Sequence, residues 1–185
     1  MVRIGGIIVA CGILATIGFS WYMYSEYTYK EVKTATIGEE IRIGNVNFDI
    51  QYVANFESFT KTKLFIEQEK VEINKGLIEA SNEIPDGVWF QIQITAENTG
   101  DEDIRMTGGQ FFLYDKNNKK YDASFIGYGE GELSLTILEP NKPVTVTTQY
   151  DIPYDEEMQY KVGIVPNRFG LEDTTEIAFI CIKNC

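Results

Sequence analysis

Residues 46–56, VNFDIQYVANF, alternate apolar and polar side chains with a period of two. Val46, Phe48, Ile50, Tyr52, Ala54 and Phe56 share one face, and Asn47, Asp49 and Gln51 share the other. Successive side chains of a strand point to opposite faces, so this pattern describes a strand with one buried and one wet face and does not fit a helix of period 3.6. Residues 87–98, GVWFQIQITAEN, repeat it, with Val88, Phe90, Ile92, Ile94 and Ala96 together. Trp89 falls on the polar face with Gln91, Gln93 and Thr95, either under a loop or exposed.

The alternation recurs. KPVTVTTQYDIP groups Val144, Val146, Thr148, Tyr150 and Ile152, and MQYKVGIV groups Tyr160, Val162 and Ile164. TEIAFICIKN is apolar on both faces, as in a central or covered strand. Turn chemistry punctuates these runs: Gly44-Asn45 reads as a hairpin turn, and Asn117-Asn118 as the turn between two strands of GGQFFLYDKNNKKYDAS. About seven or eight short strands with turn residues between them and no long helical period predict one all-β domain, an antiparallel sandwich. The charged stretch 58–87 lacks a sustained period and reads as an insert. FIGYGEGELSLTILEP reads as a Gly-rich connection with Leu133, Leu135, Ile137 and Leu138 to bury.

Residues 4–24 carry no charge. As a helix they would reach ~30 Å, the thickness of a hydrocarbon core. Arg3 precedes them, and Glu26, Lys30, Glu31 and Lys33 follow without a positive excess. The positive-inside rule puts the N-terminus in the cytoplasm and the rest outside. Trp21, Tyr22, Tyr24 and Tyr27 suit the outer membrane–water interface. This reading divides the chain into an uncleaved anchor at 1–24, a juxtamembrane stalk at 25–37 and a sandwich at 38–185. The same stretch admits three other processings: lipidation at Cys11 in IVAC, cleavage after Ser20, and a pilin-type cut after Gly6.

Arg3 is the only charged residue among the first 24, so a net charge of -12 for the chain leaves -13 on the remainder. A domain that acidic repels phosphate backbones, which argues against nucleic-acid binding. The 185 residues include no histidine. Ser-His-Asp and Cys-His catalysis, histidine-based zinc sites and the usual near-neutral proton shuttle are therefore excluded.

Three segments together resemble a known family: TIGEEIRIGNVNFDIQYV, WFQIQITAENTGDEDIRMTGGQFFLYDKNNKKYDAS and LEPNKPVTVTTQYDIP. They are similar to an opening hairpin, a central strand with its Asn-Thr-Gly turn and following hairpin, and a late strand ending in an acidic-aliphatic-Pro signature. The family is the immunoglobulin-like domain of unknown function of anchored or secreted bacterial and archaeal surface proteins. The chain also resembles the immunoprotective extracellular antigen domain of mycobacteria. The resemblance spans residues 36–166 and implies an immunoglobulin-like β-sandwich outside the membrane with no catalytic residue. This chain departs in its 58–87 insert and its extension after Pro166, and it lacks the pair of sheet-spanning cysteines around a buried tryptophan.

Cys181 and Cys185 end the chain as CIKNC. Four extended residues span ~13 Å, whereas a disulfide needs Cα atoms ~5.5 Å apart, so the pair closes only if the chain turns after Cys181. Free thiols, an intermolecular bridge and a metal or redox role are the alternatives. Asp101, Glu102 and Asp103 form a candidate Ca²⁺ cluster, set against plain solvated turn residues. Gly127, Gly129 and Gly131 alternate as in a phosphate-cradling loop, but Glu130 and Glu132 would repel phosphate, which favours a flexible connection. The expectation for function is a non-catalytic, membrane-anchored recognition module with a protein or surface-ligand partner and no cofactor. The alternative is an accessory or assembly subunit of a membrane complex or filament, with small residues such as Gly12 and Gly18 packing the span.

Overall fold

The computed structural model describes residues 31–59, 84–129, 131–165 and 176–185. The expected anchor 1–24, with Cys11, Trp21, Tyr22 and Tyr24, lies outside the described residues, as do Tyr27 and most of the insert. Among the described residues no helix is long and apolar enough to cross a membrane.

The described chain is an all-β sandwich. Its strands are β1 (Glu31–Thr36), β2 (Ile41–Ile43), β3 (Val46–Phe56), β4 (Val88–Asn98), β5 (Ile104–Thr107), β6 (Phe111–Asp115), β7 (Lys120–Asp122), β8 (Leu135–Leu138), β9 (Val144–Ile152), β10 (Tyr160–Ile164) and β11 (Glu176–Lys183). One sheet runs β1-β11-β10-β6-β7, the other β2-β3-β4-β9, and β5 and β8 form a separate ribbon. That makes eleven strands among the described residues where the sequence pattern predicts seven or eight: β1 reads as part of the stalk, and β5 and β8, four residues each, are too short to show a period.

The alternating runs become the inner faces. Ile50, Phe90, Ile92, Ile94, Val162, Ile164 and Ile180 are fully buried. Burial of each such side chain contributes about 2 kcal/mol. Phe48 meets Phe111 edge-on across the sheets at 5.8 Å, and Phe90 packs on Tyr160 at 5.2 Å. The Gly44-Asn45 turn joins β2 to β3 with Gly44 at φ 54°, and Asn118 at φ 60° turns β6 into β7. Both positions need the left-handed backbone that glycine and asparagine adopt most easily.

Residues 31–36, which the sequence reading assigns to the stalk 25–37, are strand β1 and pair in parallel with β11 from Glu31–Glu176 to Thr36–Cys181. The sandwich therefore starts before residue 38. β1 reads as polar because it is an edge strand and mostly exposed.

Two contacts align the ends of the sheets. At one end, where β1 and β11 begin, Glu176 accepts the Gly44 N–H at 2.8 Å and lies 3.0 Å from Lys33 Nζ. At the other, where β11 ends, Lys183 Nζ sits 5.0 Å from the centre of the Tyr52 ring. The chain enters the sandwich at the first end. The C-terminus, the β6–β7 turn and Phe59, where the chain leaves β3, belong to the second.

Candidate functional site

The free edge of β9 is covered by the Gly-rich connection. Ser124 N–H donates to the Gln149 carbonyl at 2.9 Å, Leu133 N–H to the Thr147 carbonyl at 2.7 Å, and Thr147 N–H to the Gly131 carbonyl at 2.7 Å. What shapes this segment is Glu132, buried at 6 % exposure. Its carboxylate accepts the backbone N–H groups of Ile126 at 2.5 Å, Gly127 at 2.6 Å and Tyr128 at 3.0 Å, and a further bond from Gln149 Nε2. Gly127 supplies the positive φ, 83°, that lets consecutive N–H groups converge. The Gly-rich stretch does cradle an anion, and that anion is its own side chain. The sequence reading of a flexible connection gives way to a pinned loop, because a buried carboxylate with four donors resists displacement. The legible trace of this device is an acid five residues after a loop glycine, a weak signal on its own.

Pinning sorts the loop's side chains. Ile126 and Tyr128 turn onto the outer face of the four-stranded sheet, where they join Phe59 and Trp89 in a second small core. Tyr128 stacks on Phe59 at 4.5 Å, its hydroxyl accepts from Gln91 Nε2 at 2.6 Å, and it shares a hydrogen bond with Thr147. Burial raises the Tyr128 pKa above its ordinary value. Trp89 is thus the tryptophan under a loop, at 6 % exposure. Phe125 is not part of that small core and is half exposed.

Beside Phe125 lies a cleft of about 320 Å³, walled by Thr107, Ser124, Leu133, Ser134 and Thr148 and the backbone of Gly108. None of its lining residues is charged. Such a cleft offers hydroxyls and apolar walls, and no acid–base pair. Leu133 and Leu138 are buried as expected, but Leu135 and Ile137 stay exposed at 59 % and 45 %. The reason is that β8 pairs with β5 in a ribbon outside both main sheets, so its outer face has no core to meet.

Asp101, Glu102 and Asp103 are all exposed on the turn after β4. Asn98 organises that turn: its Nδ2 donates to the carbonyls of Glu102 at 2.7 Å and Leu138 at 2.9 Å, and its Oδ1 accepts from Gly100 N–H at 2.9 Å. Among the described residues, no three acidic or cysteine side chains gather as a metal site. Cys181 and Cys185 are joined as a disulfide, with Cα atoms 5.8 Å apart. The strand ends at Lys183, and Asn184 at φ 52° makes the turn that closure requires. Asn184 Nδ2 then clips the loop to the carbonyls of Glu156 at 2.6 Å and Met158 at 3.0 Å.

A family model described as a domain of unknown function, DUF4352, matches residues 35–173. The fold is similar to that of the yjhA protein of Bacillus subtilis, at 20% identity and a TM-score of 0.54, covering 80% of this chain and 99% of that one. It is also similar to a putative lipoprotein of the same species, ycdA, at 14% identity and a TM-score of 0.50, covering 78% of this chain and only 38% of that one. A secreted Mycobacterium tuberculosis protein, MPT63, aligns at 11% identity and a TM-score of 0.49 over 80% of this chain and 98% of that one. Among curated proteins none matches.

Proposed function

This chain belongs to the DUF4352 family of domains of unknown function, and from that we propose that it is a non-catalytic, immunoglobulin-like recognition module tethered outside the cytoplasm by its N-terminal apolar segment. The observation that carries the recognition reading is the uncharged cleft with the exposed Phe125 at its lip, held on a loop that the buried Glu132 fixes in place. A fixed aromatic beside a neutral cleft lowers the ordering cost of binding. The chain's lack of histidine removes the commonest general base.

Location outside the cytoplasm is supported by the Cys181–Cys185 disulfide, since such bonds persist in oxidising compartments. The description of ycdA as a putative lipoprotein points the same way. Six residues, 25–30, separate the apolar stretch from β1, so the tether spans at most about 25 Å. The end of the sandwich where β1 begins then faces the bilayer, and the end bearing the disulfide faces away.

The test is protease treatment of intact cells expressing the full chain, followed by affinity capture of cross-linked partners from their membranes. Digestion of the sandwich on intact cells and a reproducible cross-linked partner support the reading. A sandwich that resists protease until lysis overturns the location, and a chain that cross-links to nothing overturns the recognition role.

A further inference from the structure

β8, Leu-Thr-Ile-Leu, pairs antiparallel with β5, and among the described residues its other edge carries no strand. Asn98 Nδ2 takes the Leu138 carbonyl at one end, which leaves the run from Leu135 to Ile137 as an open edge. Natural sheets blunt such edges with charge, proline or bulges. The short edge strand β7 does so, with exposed Lys120 and Asp122 among its three residues. β8 has no charge, no proline and no glycine.

Its exposed side chains are also large and apolar. Leu135 and Ile137, two residues apart on one face, are 59% and 45% exposed, and Phe125 across the cleft is 50% exposed. Thr107 and Ser134, at the Leu135 end of the ribbon, line the uncharged cleft, so the edge and the cleft are continuous. The Ile104–Leu138 pair sets exposed acids around the ribbon's other end: Asp101, Glu102 and Asp103 precede β5, and Glu139, ion-paired with Lys142, follows β8. Against these four acids stand Lys142 and the exposed Arg105 opposite Ile137, so acid still prevails there.

We propose that the β8 edge is a docking site for an extended peptide segment of a partner protein, one that alternates apolar and basic side chains. The backbone of that segment would complete the β8 ladder. One of its apolar side chains would enter the cleft beside Phe125 while others cover Leu135 and Ile137, and its basic side chains would meet the acidic turn. Charge complementarity selects this occupant. A second copy of the chain, itself at -12, and an anionic lipid surface would both be repelled. This proposal rests on the recognition reading and specifies its partner.

The test uses the full chain in phosphatidylcholine nanodiscs and a fluorescein-labelled eight-residue peptide alternating Lys and Val, followed by anisotropy. Three comparisons accompany it: the same peptide N-methylated at alternate backbone nitrogens, a Glu-Val counterpart, and the Leu135→Thr/Ile137→Thr chain, whose β-branched replacements keep the strand and whose folding is checked by thermal melting. The expected result is binding of the Lys-Val peptide, weakened about tenfold or more by either the double substitution or N-methylation, with slowed amide exchange at β8 and no binding of the Glu-Val peptide. No binding of the Lys-Val peptide at millimolar concentration overturns the proposal. So does binding indifferent to both N-methylation and the double substitution, which would be charge attraction alone, and so does self-association of the chain that the double substitution abolishes. If the double-substituted chain still cross-links its native partner, the edge proposal fails and the recognition reading stands. If the unsubstituted chain cross-links nothing, the reading itself fails.

Discussion

The Glu132 carboxylate accepts the Gly127 backbone N–H at 2.6 Å, five residues back along the chain. Together with its bonds from Ile126, Tyr128 and Gln149, this makes one side chain the keystone of the loop that carries Phe125. Glu132→Ala removes the acceptor and leaves buried donors without partners, at about 1–3 kcal/mol for each group left unsatisfied. Glu132→Gln keeps one acceptor and most of the volume, so it is expected to cost about half as much. Urea melts of the two variants check the order. Amide exchange should quicken at Ile126, Gly127 and Tyr128 before it quickens in β4. If the two variants melt alike, the carboxylate is not what holds the loop.

Acid should loosen the end of the sandwich where β1 and β11 begin. The Gly44 N–H, aided by Lys33, holds the Glu176 carboxyl below the usual carboxylate range. A carboxylate with a lowered folded pKa stabilises the fold above its unfolded pKa, and that contribution fades as pH falls through the folded value. Glu176→Gln should therefore cost about 1 kcal/mol near pH 7 and progressively less as pH falls below the usual carboxylate range. Denaturation midpoints of both chains across this range check it. A gap that stays constant with pH would mean that Glu176 acts by shape and not by charge.

How much of this was legible in the residues follows from where each strand sits. β3 and β4 announce themselves because one face of each meets the core, so Val46, Phe48 and Ile50 alternate with Asn47 and Asp49. β1 hides, since as an edge strand it never needs a strictly apolar face, and EVKTAT passes for a tether. β5 is only four residues long. The cradle around Glu132 depends on three backbone N–H groups converging, which no side-chain pattern records. The exposure of Leu135 and Ile137 is likewise a fact of topology: the residues are those of a core strand, and only their pairing in a ribbon apart from the sheets leaves them outside. The disulfide was legible as a conditional, and Asn184 at φ 52° meets the condition.

Two buried tyrosines should answer oppositely to loss of their hydroxyls. Tyr150 is fully buried, its hydroxyl has no hydrogen-bond partner among the described residues, and burial raises its pKa far above the ordinary value. Tyr160 is as deeply buried, but its hydroxyl accepts the Asp155 N–H at 3.0 Å. Tyr150→Phe is expected to leave stability unchanged or raise it by about 1 kcal/mol, because an unpaired polar group leaves the core. Tyr160→Phe should lower it by about 1 kcal/mol, because the Asp155 N–H loses its acceptor. Thermal melts of both variants decide the matter. A large loss in Tyr150→Phe would point to a partner for that hydroxyl.

The C-terminal disulfide closes a ring of only five residues, so its effect on the unfolded chain is small, about 2 kcal/mol in the loop-entropy view. Its larger consequence should be local. The ring positions Asn184 against the carbonyls of Glu156 and Met158, and Lys183 between the Tyr52 and Tyr154 rings at 5.0 and 4.9 Å. Tyr154 in turn stacks on Tyr160, which packs on Phe90. Cys185→Ser, or treatment with a dithiol reductant, is therefore expected to lower the melting temperature modestly. It should also speed amide exchange at Met158 and in the first residues of β10, leaving β3 and the Glu132 loop as slow as before. Exchange that rises evenly across both sheets would show that the bond acts on the whole fold and that the clip to the 155–158 turn is incidental.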